Sequence, residues 1–431
     1  LEGVNRRMNV RIKGPQPLRG KVKAPGSKAY THRALLASLL SPEESTISGA
    51  LQCDDTQRTL QGVKSLGARV YSDKNRILVR GSRTLTSSNR PIDCGESGAT
   101  FRFLTAMSST SSTTVRLAAS PRLASRPIEP LVNAIKALGA SIRTFSNDRG
   151  LEVLVRGPLR GGKVSLRGGV SSQFISGLLF AAPLAMKDVT IDVEGPVESR
   201  PYVDMTIEVL RKHGISVEES EESFHVAAPQ RYAPASHRVP GDFSSAAFLI
   251  ASTGAAGDKI TISGLGSSSL EPDSAILKII PEIGLDIQQE GDNLTIGKSK
   301  LYGFEFDAKD TPDLVPPLEA LGCFAKGSTE IRGVKRLVYK ESDRLHSLPT
   351  ELSKMGARIQ VDDDKVRIAG GGGLVGSSVD SHSDHRVAMA CAVASLAATG
   401  ESIIHDSQSV SKSYPEFFQD LTRLGAQLSV E

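Results

Sequence analysis

The fold is decided by residues 135–157, which read "IKALGASIRTFSNDRGLEVLVRG". A segment with apolar residues at helical spacing ends at a glycine, and two short β-rich segments joined by a polar turn follow it. Glycine is the usual residue in the left-handed position that ends an α-helix. The stretch therefore predicts a helix followed by a β-hairpin.

The same pattern recurs along the chain. The other copies are residues 63–81, 210–228, 280–297, 352–370 and 421–431. The glycines that end the helices are Gly67, Gly139, Gly214, Gly284, Gly356 and Gly425, and their spacings of 72, 75, 70, 72 and 69 residues are too even for chance. A constant period of this kind indicates internal repeats.

Each repeat also contains an earlier apolar helix, as in "APGSKAYTHRALLASLL" at residues 24–40, and a β-rich segment after it. Each unit therefore reads helix, strand, helix, strand, strand. The sixth unit ends after one strand, "AQLSVE" at residues 426–431, and "MNVRIKG" at residues 8–14 has the pattern of the missing partner. We predict that the N-terminal strand completes the last unit.

This arrangement makes one of two predicted domains discontinuous. Residues 1–22 and 241–431 would hold units four to six, and residues 23–240 would form an inserted domain of units one to three. A chain of 431 residues is also too long for one compact core. The predicted class is α/β with two similar domains, and residues 1–7 are interpreted as an extension upstream of a natural start at Met8.

The composition argues against several classes of function. With 52 basic and 48 acidic residues, the net charge of +4 is too balanced for nucleic-acid binding through bulk charge, and no apolar run reaches membrane-spanning length. The four cysteines lie far apart, which indicates buried thiols in a reducing cytoplasm. The HExxH and GxSxG patterns are absent, and no GxGxxG has both the strand before it and the acidic residue about twenty positions after it that a dinucleotide-binding fold needs, so no metal or cofactor site is predicted.

Charged and hydroxyl residues gather where the helices begin. Unpaired backbone N–H groups and the helix dipole make such positions attractive to anions. The residues at these openings include Lys28, Arg33, Glu96, Gly98, Arg102, Arg126, Ser171, Ser172, Gln173, Ser199, Tyr202, Asp313, Lys340, Glu341, Arg344, Asp384, Arg386 and Lys412. Asp54, Asp242 and Asp273 are interpreted as N-caps. The set suits a small substrate bearing phosphate and carboxylate, handled by acid–base chemistry.

Eight motifs carry a family resemblance. They are "PGSKAYTHRALL", "GESGATFRF", "SRPIEPLV", "SSQFISGLL", "ESRPYVDMT", "KESDRL", "SDHRVAMA" and "SKSYPEFF". Over residues 8–431 the sequence resembles the 5-enolpyruvylshikimate-3-phosphate synthases, also called 3-phosphoshikimate 1-carboxyvinyltransferases. The resemblance implies the enolpyruvyl transferase fold, in which each of two domains contains three βαβαββ units related by a pseudo-threefold axis. It also implies transfer of the carboxyvinyl group of phosphoenolpyruvate to the 5-hydroxyl of shikimate 3-phosphate, on the pathway to chorismate and aromatic amino acids, without a metal or cofactor.

The resemblance also implies roles for individual residues. The phosphoenolpyruvate ligands would be Lys28, Gly98, Arg126, Gln173, Arg344, Arg386 and Lys412. The shikimate 3-phosphate set would be Lys28, Ala29, Arg33, Ser171, Ser172, Gln173, Ser199, Tyr202, Asp313, Arg336 and Lys340. Asp313 would deprotonate the attacking hydroxyl, and Glu341 would carry the proton near the vinyl carbon, with Lys28 as the next candidate. Ala29, Glu96 and Arg336 depart from the residues most common in the family.

Two other functions remain open from the sequence. A UDP-N-acetylglucosamine enolpyruvyl transferase would share the fold and the donor, but it uses a loop cysteine that "AASPRLASRPIEP" at residues 118–130 lacks. A non-catalytic protein that binds phosphorylated ligands would have no reason to keep both Asp313 and Glu341. The expected partners are the two small-molecule substrates, without nucleic acid or membrane, and the chain is expected to act as a monomer.

Overall fold

The computed structural model describes residues 7–73, 76–87, 90–169, 171–266, 271–297 and 300–431. The contacts divide the chain into two compact units. The discontinuous unit is Leu1–Pro25 with Pro240–Glu431, and the inserted unit is Gly26–Val239. Each unit has its own hydrophobic core. The chain passes from one unit to the other beside a proline at both crossings.

Short strands and helices alternate along the chain. The strands are β1 (Val10–Gly14), β2 (Arg19–Lys23), β3 (Glu44–Ser48), β4 (Arg69–Ser72), β5 (Arg76–Arg80), β6 (Ile92–Asp93), β7 (Val115–Ala119), β8 (Ser141–Asn147), β9 (Gly150–Arg156), β10 (Gly162–Arg167), β11 (Val189–Glu194), β12 (Glu218–Glu219), β13 (Ser223–Val226), β14 (Ser236–Arg238), β15 (Lys259–Ser263), β16 (Asp286–Glu290), β17 (Asn293–Gly297), β18 (Glu305–Asp307), β19 (Ser328–Arg332), β20 (Arg358–Asp362), β21 (Lys365–Ala369), β22 (Ser378–Asp380), β23 (Gly400–His405) and β24 (Leu428–Val430). The α-helices are α1 (Lys28–Leu39), α2 (Asp54–Ser65), α3 (Gly98–Ser108), α4 (Pro121–Ala124), α5 (Glu129–Ala137), α6 (Ser172–Ala181), α7 (Arg200–Lys212), α8 (Phe243–Ala255), α9 (Ile276–Ile283), α10 (Val315–Gly322), α11 (Arg344–Lys354), α12 (His385–Ala397) and α13 (Phe417–Arg423). Short 3-10 helices lie at Ala182–Leu184, Pro272–Ala275, Pro312–Leu314, Lys335–Tyr339 and Ser407–Lys412.

The sheets repeat one topology. In the inserted unit the strand orders are β14-β3-β5-β4, β6-β7-β9-β8 and β10-β11-β13-β12, and in the discontinuous unit they are β16-β17-β15-β2, β18-β19-β21-β20 and β22-β23-β1-β24. In every one of these sheets an edge strand runs parallel to its neighbour, and the other pairs are antiparallel. The repeated α/β unit predicted from the sequence is confirmed.

The N-terminal strand completes the last repeat, as predicted. β1 lies between β23 and β24, with Val10 opposite both Ile404 and Val430. The strands next to the crossings also have defined places. β2 pairs with β15 in the discontinuous unit, and β14 pairs with β3 in the inserted unit.

The glycines that set the repeat lie in the left-handed region, as the sequence predicted. Their φ angles are +104° at Gly67, +90° at Gly139, +76° at Gly214, +92° at Gly284, +94° at Gly356 and +99° at Gly425. A residue with a Cβ is strained at such an angle. This local backbone requirement explains why the same residue recurs at each helix end.

The first helix of each repeat is central in its unit. In the inserted unit α3 packs against α1 and α6, and in the discontinuous unit α8, α10 and α12 pack against one another. A helix buried on all sides needs an apolar sequence, and "FSSAAFLIASTGA" in α8 is an example. Among the described residues, no helix has both the length and the apolar character needed to cross a membrane.

Candidate active site

In the discontinuous unit, several predicted site residues meet around one guanidinium. Arg344, at the start of α11, has only 1% of its side chain exposed. Its Nη1 donates to Asp313 Oδ1 at 3.0 Å and its Nη2 to Glu341 Oε2 at 2.6 Å. Its Nε and Nη2 donate to the two carboxylate oxygens of Asp384 at 2.8 and 3.1 Å. One arginine therefore binds three carboxylates.

Asp313 is surrounded by positive charge. Besides Arg344, it accepts a hydrogen bond at 3.2 Å from Lys340 Nζ and one at 3.1 Å from Arg386 Nη2. Arg386 Nη1 also donates to the backbone carbonyl of Asp313 at 3.2 Å. Asp384 caps the helix that carries Arg386, since its side chain accepts from the Arg386 backbone N–H at 2.9 Å. Residues predicted at the helix starts of two successive repeats thus form one network.

The charges in this network shift its acid–base equilibria. Burial opposes ionisation of Asp313, but the charges of Arg386, Lys340 and Arg344 outweigh it, and the pKa of this carboxyl lies well below its usual range. For Asp384, burial is again outweighed, here by Arg344, which lowers the pKa to about 2. Burial lowers the pKa of Lys340. Asp313 and Asp384 are therefore ionised at neutral pH.

Asp273 is a buried carboxyl beside this network. It accepts a hydrogen bond from the Ser244 hydroxyl. Burial, and then the negative charge of Asp313, raise its pKa to about 7. The N-cap predicted for Asp273 is wrong, because it lies inside the 3-10 helix that follows Glu271. Asp242 does cap α8, and α2 is capped by Cys53 rather than by Asp54.

Replacing Asp273 should change how stability depends on pH. Because the folded-state pKa of Asp273 is raised from 3.8 to about 7, folding takes up a proton in this range, and stability is lost as pH rises through it. Asp273→Asn resembles the neutral acid and should reduce that loss. Urea unfolding at pH 5 and pH 8 measures the loss of stability between these pH values. The control is Asp258→Asn, which replaces an exposed carboxylate in the same unit. An unchanged difference in the unfolding free energy between the two pH values would contradict the assignment.

Two further predicted ligands lie on 3-10 helices of the discontinuous unit. Lys412 Nζ donates to the Ser383 carbonyl at 2.7 Å, just before the start of α12. Arg336 Nη2 donates to the Lys309 carbonyl at 2.6 Å, and its charge contributes to the lowered pKa of Lys340. Their roles as substrate ligands stay predictions.

In the inserted unit, Lys28 lies at the start of α1. Its Nζ donates to Asp55 Oδ2 at 3.0 Å, and the Ser27 side chain caps the helix by accepting from the Tyr30 backbone N–H at 3.0 Å. Asp55 belongs to the first turn of α2, where the sequence pointed to helix capping. The sequence did not identify Asp55 as the partner of Lys28.

Arg33 is buried between α1 and α7. Its Nε donates to the Thr206 hydroxyl at 2.8 Å, and its two terminal nitrogens donate to the carbonyls of Ala29 and Tyr202, each at 2.9 Å. The guanidinium also lies over the Phe103 ring, 5.3 Å from its centroid. Arg33 therefore connects the helix that carries Lys28 and Ala29 to the helix that carries Tyr202. Its contact with shikimate 3-phosphate stays a prediction.

A second basic group lies where α3 and α6 begin. Arg102 Nη1 donates to Gln173 Oε1 at 2.7 Å, and its Nη2 donates to the Pro127 carbonyl at 3.2 Å. A Cβ at Gly98 would lie 3.2 Å from Arg126 Nη1, so the absent side chain lets this guanidinium approach the helix end. The sequence analysis placed Arg102 at a helix start but predicted no role for it. Its position four residues after Gly98, one helical turn further on, could have indicated that it lies near the predicted ligands.

The predicted hydroxyl ligands occupy helix starts in the inserted unit. Ser171 caps α6, since its side chain accepts from the Gln173 backbone N–H at 3.3 Å, and Ser172 is buried. Ser199 precedes α7 with a φ of +57°, a strained value for a residue with a side chain. Tyr202 lies in the first turn of the same helix.

Comparison with known proteins identifies the family of this chain. The family model described as EPSP synthase (3-phosphoshikimate 1-carboxyvinyltransferase) matches residues 12–421. A 3-phosphoshikimate 1-carboxyvinyltransferase from Methanocorpusculum labreanum is 39% identical over 415 residues, which cover 96% of this chain and 97% of that protein. The chain belongs to the EPSP synthase family. A relative with the same name from Methanocaldococcus jannaschii is 37% identical over 425 residues, or 97% of this chain and 99% of the relative.

Solved structures show that the EPSP synthase family fold extends to distant proteins. An EPSP synthase from Acinetobacter baumannii superposes with a TM-score of 0.83 at 24% identity and covers 99% of this chain and 100% of that one. The enolpyruvyl transferase NikO from Streptomyces tendae gives a TM-score of 0.80 at 18% identity, with 98% and 99% covered. At these identities the likeness concerns the fold alone. In the described part of this EPSP synthase family chain, no group of three or more His, Cys, Asp and Glu side chains could hold a metal ion.

Proposed function

We propose that the network around Asp313 and the basic helix starts of the inserted unit supply the substrate ligands for the reaction of the family. As a member of the EPSP synthase family, the chain transfers the carboxyvinyl group of phosphoenolpyruvate to the 5-hydroxyl of shikimate 3-phosphate and releases phosphate. One observation carries the assignment of residues. Two arginines and a lysine donate to Asp313, the carboxylate that would take the hydroxyl proton.

The phosphoenolpyruvate carboxylate has a natural place in this network. A guanidinium presents a planar fork that matches a carboxylate, and Arg386 uses its fork on Asp313. Asp384 binds Nε and Nη2 of Arg344 and orients that guanidinium. We infer that the substrate carboxylate replaces Asp313 on Arg344 and Arg386. Lys28, Arg126 and Lys412 would bind the phosphate, beside the backbone at Gly98 and the amide of Gln173.

Substrate binding would then make Asp313 a stronger base. Its pKa is low because three cations surround it. Once anionic substrates share these cations, the pKa of Asp313 rises, and the carboxylate becomes a stronger base when the hydroxyl must lose its proton. Shikimate 3-phosphate would present the hydroxyl. Its predicted ligands here are Ala29, Ser171, Ser172, Ser199, Tyr202, Arg336 and Lys340. Arg33 lies on α1, the helix that also carries Ala29.

Glu341 would handle the other proton. It lies three residues before Arg344 and accepts a hydrogen bond from it at 2.6 Å. Protonation of the vinyl CH2 by Glu341 creates an oxocarbenium-like carbon, and the hydroxyl oxygen bonds to it as Asp313 takes the hydroxyl proton. Phosphate leaves with its C–O bond electrons while a methyl proton returns to Glu341, which restores the double bond. Fixed cations stabilise the negative charge on the departing phosphate.

An assay of both substrates tests the proposal. Phosphate release should require phosphoenolpyruvate and shikimate 3-phosphate together, and mass spectrometry should show a product with the carboxyvinyl group attached. Addition of EDTA should leave the rate unchanged, because arginine and lysine side chains neutralise the substrate charges. Turnover with UDP-N-acetylglucosamine in place of shikimate 3-phosphate would contradict the proposal, as would an EDTA-sensitive rate restored by one divalent ion.

A further inference from the structure

The turn between β22 and α12 has an unusual backbone. His382 and Ser383 are consecutive and have φ angles of +53° and +51°. Residues with a side chain rarely adopt this left-handed conformation, and two in succession persist only where the surroundings hold them. The next residue is Asp384, which caps α12 and binds Arg344. The strained turn is therefore directly connected to the network around Asp313.

A buried carboxylate on α11 holds this turn from one side. Glu351 has 1% of its side chain exposed and accepts a hydrogen bond from His382 Nε2 at 2.8 Å. Because a carboxylate only accepts, this imidazole nitrogen carries the proton. Glu351 also accepts from the Asp380 backbone N–H at 3.0 Å, and Asp380 in turn accepts from the His382 backbone N–H at 2.6 Å. One side chain thus binds both ends of the bend.

The hydrogen bonds keep Glu351 ionised. Burial alone would raise its pKa, but the bonds from Lys354, the Asp380 backbone and His382 outweigh burial, and the pKa of Glu351 lies below its ordinary value. Lys354 Nζ donates to both carboxylate oxygens, at 2.8 and 2.7 Å. Lys354 lies on α11 like Glu351, so this contact does not reach the turn. It provides a matched control.

The other side of the turn is held separately. Ser383 donates through its hydroxyl to Asp406, and the Ser381 hydroxyl donates to the Asp406 carbonyl at 2.9 Å. The carbonyl of Ser383 accepts from Lys412 Nζ at 2.7 Å. The turn therefore sets the position of a proposed phosphate ligand, Lys412, as well as the start of the helix that carries Arg386.

We infer that Glu351 and His382 are positioning residues for phosphoenolpyruvate. They act through the left-handed turn, which places the cap of α12, Arg386 and the carbonyl that orients Lys412. Neither residue is among those proposed to touch a substrate. The inference rests on the proposed function, because it takes Arg386 and Lys412 to be phosphoenolpyruvate ligands.

Two substitutions test the inference from opposite ends of the contact. Glu351→Gln has only one acceptor oxygen, so it cannot accept from both the Asp380 backbone N–H and His382 Nε2–H, and one of these two hydrogen bonds to the turn is lost. His382→Asn keeps a residue that tolerates the left-handed region but is too short to reach Glu351. Both should raise the KM for phosphoenolpyruvate, Glu351→Gln by about tenfold, which corresponds to about 1.4 kcal/mol. The KM for shikimate 3-phosphate should change by less than about threefold.

Lys354→Met is the control, because it removes an equally close partner of Glu351 on α11 without touching the turn. Equal rises in KM for both substrates, or an equal effect of Lys354→Met, would show general loosening of the unit and overturn the inference. Arg386→Lys is measured alongside. If it weakens phosphoenolpyruvate binding while Glu351→Gln and His382→Asn do not, only the positioning role is wrong. If Arg386→Lys has no effect, the proposed ligand assignment is wrong. Thermal unfolding shows which variants are folded, and His382→Asn provides the test if Glu351→Gln does not fold.

Discussion

Asp313→Asn should lower kcat about 10²- to 10⁴-fold, the usual contribution of one general base. Asparagine has nearly the shape of aspartate and can still accept from Lys340 and Arg344, the two side chains that share Asp313 Oδ1. Its amide nitrogen then replaces Asp313 Oδ2, so the hydrogen bond from Arg386 Nη2 is lost and that guanidinium nitrogen is released for the substrate carboxylate. It cannot take up the proton of the attacking hydroxyl. The loss should therefore appear in the rate of turnover rather than in the assembly of the network.

Binding should respond differently from turnover. Removal of one negative charge leaves Arg344, Arg386 and Lys340 with less compensation, so affinity for phosphoenolpyruvate should be maintained or increased. Steady-state kinetics and calorimetric titration of each substrate measure the two effects. Asp310→Asn is the matched control, since Asp310 is an exposed carboxylate three residues earlier in the same segment. A kcat within about threefold of the parent would remove Asp313 from the role of base.

Arg386→Lys should weaken phosphoenolpyruvate binding roughly 10- to 150-fold, since a hydrogen bond to a charged group contributes about 1.5–3 kcal/mol. The substitution keeps the charge but removes the fork that Arg386 places on Asp313 through its Nη1 and Nη2. Shikimate 3-phosphate binding should change little. The prediction is tested by comparing the loss of affinity for phosphoenolpyruvate with the loss of affinity for shikimate 3-phosphate.

The control for this substitution is Arg423→Lys. Arg423 also bonds two carboxylates, Glu416 and Asp420, but it is largely exposed on α13. Titration of each substrate against both variants separates a ligand role from the general effect of replacing arginine by lysine. Equal weakening of both substrates by Arg386→Lys would show that Arg386 is not a selective donor ligand.

The repeat could be predicted from the sequence because its cause is local. A left-handed residue at each helix end requires glycine, and that requirement repeats at the period of the fold. The place of β1 was also predictable, since only one strand lacked a partner and only one unassigned segment matched it. Prediction of an N-cap failed at Asp54 and Asp273, because the sequence does not show at which residue a helix begins.

The site could be predicted only as a set of residues. Arg344 and Asp384 are 40 positions apart, and Lys28 and Asp55 are 27 apart, so no local pattern shows which carboxylate each cation binds. Asp384 stood in the "SDHRVAMA" motif, yet its part in orienting Arg344 depends on how two repeats pack. No sequence pattern indicated a role for Glu351, because its hydrogen-bond partners His382 and Asp380 lie 31 and 29 positions later, in the turn before α12 and at the end of β22.

The pairing of β1 sets an order for folding during synthesis. Val10 lies opposite Ile404, so 394 residues must be made before this partner exists. At about 5–20 residues per second, the ribosome needs on the order of 20–80 s for that length. Throughout this time the β1 segment has no sheet to join, while the inserted unit, complete at Val239, can already fold. We expect the segment Gly26–Val239 of the nascent chain to become resistant to protease well before the N-terminal segment does.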